Sequence, residues 1–259
     1  MQLAFRHARG FSLAEIAIVM VIVGLLIGGL LAPLAAQMDQ RDFSDTQKRI
    51  EYANELLLGF AIANGRLPCP ASSGSNGDES PAGGGTCTNY YDGYLPAKAL
   101  GMHPTDSSGY ALDAFNNRIR YALSKTVTPA GTCTGSPPFS SSTNFKTNGL
   151  QCLPDDLLIC SSSLASGFTR ISCGISNNLV NANTVVAIVF STGKTSFSSD
   201  VTRTDELANT DGSQTDAKAT FVYHTPNPAG ATGGEFDDQM VWISAGLLYG
   251  RMVSAGILP

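Results

Sequence analysis

The sequence predicts an α+β fold: a long N-terminal α-helix, transmembrane in its first half and amphipathic in its second, packed on an antiparallel β-sheet with disulfide-bearing loops. Three observations carry that expectation. Ile16 to Ala36 is a run of 21 residues without Asp, Glu, Lys or Arg, and apolar residues then recur at helical spacing as far as Ala63. Segments 184–190, 219–224 and 239–244 are rich in β-branched and aromatic residues, the composition of strands. Six cysteines, at 69, 87, 133, 152, 160 and 173, all follow the apolar run, which places them in an oxidising compartment beyond a membrane.

The apolar run is long enough to span a bilayer, since about 1.5 Å per helical residue gives roughly 31 Å. Before it stands Arg9-Gly10-Phe11-Ser12-Leu13-Ala14-Glu15, with one carboxylate, Glu15, at its mouth. An ionisable group at the edge of such a segment is costly enough to imply a function. A secretory signal peptide would use Arg6 and Arg9 as its basic end and Leu34-Ala35-Ala36 as its cleavage site, leaving Gln37 first. The length of the run and the acid at its start argue against that, and a plain anchor gives Glu15 no purpose.

Gly10-Phe11-Ser12-Leu13-Ala14-Glu15, after a short basic leader and before an unbroken apolar helix, resembles the processing site of type IV prepilins and type II secretion pseudopilins. The resemblance covers residues 1 to about 40. It implies a leader, 1–10, removed by prepilin peptidase between Gly10 and Phe11, with N-methylation of Phe11. It implies a half-helix, 11–36, that is membrane-spanning first and filament core afterwards, and a periplasmic or extracellular domain, 37–259. Its implied partners are other pilin subunits and an inner-membrane assembly platform, with Glu15 pairing with the Phe11 ammonium of a neighbour. Such a pair in low dielectric sets axial register, because either charge left alone there is costly.

Along the chain, Pro33 predicts a kink or a melted turn. Phe43, Ile50, Ala53, Leu57, Phe60 and Ala61 form the apolar stripe of the half-helix 37–63, which stops at Asn64-Gly65. The Gly, Ser, Pro and Cys composition of 66–93 predicts a loop tied by its cysteines, and the resemblance implies that 66–110 is exposed. A short element ends near Leu100-Gly101. Asn116-Asn117 is a turn leading into a strand within 113–124, with Ile119, Tyr121 and Leu123 on one face. Residues 125–150 are expected as loop, 153–160 is ambiguous between strand and short helix, and 184–190, 219–224 and 239–244 are expected in one antiparallel sheet. Leu247–Met252 fits a last strand or a short helix.

The chain has 259 residues, a formal net charge of −5 and only 14% charged residues. No basic surface points to nucleic acid. Six cysteines permit many connectivities; sequential pairing, Cys69–Cys87, Cys133–Cys152 and Cys160–Cys173, closes loops of similar short length, each adding about 3 kcal/mol. No C-x-x-C pair supports zinc, and His7, His103 and His224 are scattered.

No nucleophile elbow, zinc-protease helix or phosphate-binding glycine loop is present, so no enzymatic activity is expected. Asp155-Asp156 and Asp237-Asp238 are adjacent pairs that a strand would point to opposite faces. Glu235, Asp237 and Asp238, in a glycine-bearing loop before a strand, form a candidate calcium site or a solvated turn. The expected function is structural: a minor pilin subunit of a type IV pilus or related filament. Alternatives are a pilin-stalked adhesin or ligand-binding tip subunit, or a type II secretion pseudopilin.

Overall fold

A computed structural model of the chain describes residues 12–125, 127–128, 139–195, 202–213 and 215–258, with the side chains of 29–33, 35, 127–128, 144–145, 148–149 and 182 outside the description. It divides into two units, Met1–Ser44 and Asp45–Pro259. Helix α1 (Leu13–Asn64) belongs to both. Of the kink or melted turn expected at Pro33, the melted turn is absent: the helix is continuous there, since proline deletes one backbone bond and the rest of the ladder closes the turn. Among the described residues no helix is long and apolar enough to cross a membrane. The uncharged run 16–36 includes 29–33 and 35, whose side chains are outside the description.

In the second unit, α1 ends as its composition dictates. Gly65 adopts φ 66°, a conformation only glycine takes without strain, and its N–H donates to the Ala61 carbonyl at 2.8 Å. Ile50, Ala53, Leu57 and Ala61 are fully buried in one cluster with sheet residues. Thr46 Oγ1 accepts the Ala114 N–H at 3.0 Å, and Arg49 donates to the carbonyls of Leu112 and Asp113, so the helix is also tied to the turn before the sheet.

The next elements are β1 (Gly93–Tyr94), α2 (Ala97–Leu100), β2 (Arg120–Leu123), β3 (Val127–Thr128) and α3 (Ser142–Asn148). After them come β4 (Leu153–Pro154), β5 (Leu157–Cys160), β6 (Val185–Ser191), α4 (Thr204–Asn209), β7 (Ala219–Val222), β8 (Gln239–Ser244) and α5 (Ala245–Ser254). The main sheet is antiparallel with order β1-β2-β6-β8, in register Tyr121↔Val189 and Val189↔Val241.

Several expectations are corrected. Segment 219–224 is not in that sheet: β7 pairs in parallel with β5, from Leu157↔Ala219 to Cys160↔Val222. Strand β2 is buried at all four positions rather than alternately, so both faces of the sheet are covered there. Residues 142–148 form a helix where loop was expected. The last element is helix α5, capped by the Ser244 hydroxyl accepting the Leu247 N–H at 3.2 Å.

The stretch 66–110 is exposed only in part, at residues such as Ser73, Gly74, Pro81 and Gly83. Leu67, Cys69, Ala71, Tyr90, Tyr91, Leu95, Ala97 and Met102 are buried in the core. Its order comes from one carboxylate: Glu79 makes a two-point ion pair with Arg66 at 2.6 and 2.7 Å and accepts the N–H groups of Cys69 and Gly83. The Cys69–Cys87 bridge closes the same loop. A polar, glycine-rich segment that cannot collapse by itself is thus organised around a satisfied buried charge.

Candidate functional site

Gly10 and Phe11 lie outside the described residues. The description begins at Ser12, immediately before α1, and Glu15 sits in that helix's first turn. The two residues cap each other: the Ser12 N–H donates to Glu15 Oε2 at 2.8 Å, and the Glu15 N–H donates to Ser12 Oγ at 3.2 Å. Ser-x-x-Glu is the capping box, which satisfies two of the free N–H groups at a helix start, and the acid also suits the positive end of the helix dipole. Both residues are exposed. So is every side chain from Leu13 to Gly28, with Leu13 at 89% and Leu25 at 72%.

A second constellation lies in the globular unit. Helix α4 supplies Glu206, and the segment entering β8 supplies Asp237 and Asp238, with one oxygen from each within 4.8 Å of the others. Adjacent acids expected on opposite faces converge because they precede β8 rather than lying within it. Glu206 Oε1 accepts the Asp237 N–H at 2.9 Å and the Thr195 hydroxyl at 3.0 Å. Asp237 Oδ2 accepts the N–H groups of Lys194 and Thr195, each at 3.1 Å, and Asp238 Oδ2 accepts from Asn209 Nδ2 at 2.6 Å.

Burial pushes all three carboxyls above the ordinary range. For Asp238 the shift is large, the neighbouring charges of Glu206 and Asp237 adding to it while Asn209 and Arg120 oppose. Glu235, expected beside the two aspartates, instead pairs with Arg203 Nη2 at 2.7 Å. Glu206, which the sequence reading did not single out, stands beside the two aspartates in the place expected for Glu235. Its only sequence signal is the acidic first turn Thr204-Asp205-Glu206 of a helix too short for periodicity to reveal.

Disulfides join Cys69 to Cys87 and Cys160 to Cys173. Of the third expected pair, Cys133 lies outside the described residues. His103 is exposed, while His224 stacks on Phe236 with ring centres 3.9 Å apart and meets Asp205 at 3.2 Å. Asp155 pairs with Lys218 at 3.2 Å. Asp156 is fully buried and accepts from Tyr91, Ser124 and the Lys125 N–H.

Residues 5–31 match the prokaryotic N-terminal methylation motif, the signature of prepilin-type cleavage and methylation in type IV pilins and pseudopilins. Neither a curated protein nor a solved structure matches the chain.

Proposed function

We propose that this chain is a minor pilin: a structural subunit of a type IV pilus or related filament, cut by prepilin peptidase between Gly10 and Phe11 and assembled through its N-terminal helix. The observation that carries the proposal is the bare apolar start of α1, in which every described side chain from Leu13 to Gly28 is exposed and Glu15 is the only charged residue. Such a surface needs lipid or other apolar helices to cover it. In the precursor the half-helix 11–36 sits in the inner membrane. Afterwards it packs among the same helices of other subunits.

Cleavage creates an ammonium on Phe11, and Glu15 is the carboxylate nearest to it in sequence. Pairing Glu15 with the Phe11 ammonium of a neighbouring subunit favours one axial register in the bundle. The partly buried, disulfide-tied insert 66–93 and the bridged loop 160–173 add bulk to the outward domain, which suits a minor rather than a repeating shaft subunit. Mass analysis of the mature N-terminus tests the reading: an N-methylated Phe11 is expected, and a chain beginning at Met1 or Gln37 contradicts it.

A further inference from the structure

We infer that Ser12 is a positioning residue for the cleavage proposed above, on which this role rests: by closing α1 immediately after Phe11 it keeps the Gly10–Phe11 bond out of the helix and within reach of the peptidase. Three bonds make Ser12 the N-cap. Its carbonyl accepts the Ile16 N–H at 3.3 Å, the first rung of the helical ladder. Its hydroxyl accepts the Glu15 N–H at 3.2 Å, and its own N–H donates to Glu15 Oε2 at 2.8 Å. In a helix continued towards the leader, that N–H would have to donate to the Ala8 carbonyl instead. Closing the box and extending the helix therefore exclude each other.

The leader sequence carries no such stop of its own. From Gln2 to Arg9 it has no Pro, Gly, Ser, Thr, Asn or Asp, while Leu3, Ala4, Arg6, Ala8 and Arg9 are good helix formers. Gly10 disfavours a helix but has no side chain with which to cap one, so the stop on the mature side of the cut falls to Ser12. Cleavage needs that stop. Hydrolysis puts a water oxygen on the Gly10 carbonyl carbon and breaks its bond to the Phe11 nitrogen; Gly10 departs as a carboxylate, and both water hydrogens end on Phe11 as part of its ammonium. In a helix the Gly10 carbonyl would accept the Ala14 N–H and lie against the next turn, closed to attack. Glu15 completes the box in the precursor, before any Phe11 ammonium exists for its carboxylate to meet.

The test is cleavage of the full precursor in detergent by purified prepilin peptidase, with kcat and KM from initial rates and the cut site from mass analysis. Ser12→Ala removes the cap and puts a strong helix former in its place. Its KM should rise roughly two- to fivefold at unchanged kcat, since only the unextended conformer binds. Ser12→Thr keeps the hydroxyl, and Ser12→Gly is a tolerated N-cap without one, so both should stay close to the unsubstituted KM. Hydrogen exchange supplies the structural readout: protection of the Phe11 amide should increase in Ser12→Ala and not in Ser12→Gly. Equal KM and equal protection in Ser12→Ala and the unsubstituted precursor would overturn the inference. So would Ser12→Gly cut as poorly as Ser12→Ala, which would mean that the peptidase reads the hydroxyl itself. An unsubstituted precursor left uncut, or cut elsewhere than after Gly10, sinks the processing proposal and this role with it, so the two failures are told apart.

Discussion

Ser12 and Glu15 hold each other at the start of α1, each accepting the other's backbone N–H. The carboxylate assigned to a neighbouring subunit therefore already has work within its own helix. Glu15→Ala is expected to enter the membrane normally yet to be nearly absent from sheared filaments, because it loses both the cap and the intersubunit partner. Ser12→Ala loses only the cap, about 1 kcal/mol of helix stability, and should be incorporated to a much greater extent. Quantitative immunoblotting of membrane and filament fractions compares them, and equal incorporation of Glu15→Ala and the unsubstituted chain would refute the intersubunit role.

Arg66 and Glu79 organise the loop after α1, and their side chains are only 11% and 10% exposed. Burial raises the Glu79 carboxyl, but the Arg66 pair and the N–H groups of Cys69 and Gly83 outweigh it, so its net position is lowered. A carboxyl lowered on folding contributes stability that is complete above its unfolded value and disappears as pH falls through the folded one. The melting temperature should therefore drop in acid below the ordinary carboxylate range, and Glu79→Gln should flatten that part of the profile. At neutral pH the substitution strands Arg66 and should cost about 3 kcal/mol in denaturant unfolding.

Gly193 sits at φ 62°, and a Cβ there would overlap the Asp237 carboxylate and its carbonyl. Gly193→Ala therefore combines backbone strain with a clash against fixed atoms. A loss above about 2 kcal/mol is expected by chemical denaturation, while Gly246→Ala, with open space around it, should stay within about 1 kcal/mol.

Leu57 is fully buried among sheet residues. Leu57→Ala should cost about 3 kcal/mol, read as a lower urea midpoint at unchanged slope. Cleavage at Gly10 should proceed as before, since the substitution is far along the chain from it.

The bridge Cys69–Cys87 spans 18 residues of sequence. Replacing both cysteines with Ala should lower stability by about 3 kcal/mol, measured under non-reducing conditions against the unsubstituted chain.

The sequence by itself determined what depends on local pattern. The uncharged run after Glu15, the helix end at Asn64-Gly65 and strands β6 and β8 were legible, since periodicity and glycine conformation are properties of neighbouring residues, whereas the Cys69–Cys87 and Cys160–Cys173 pairings were one choice among many until the fold set them. Tertiary structure alone decided the rest. β7 left the main sheet for a parallel pairing with β5, because an isolated strand carries no mark of its partner. Part of the insert 66–110 went inside, where Arg66 and Glu79, separated by loop, neutralise each other. Glu206 replaced Glu235 beside Asp237 and Asp238 because Arg203 claims Glu235, a competition between residues 32 apart that only the folded chain brings together.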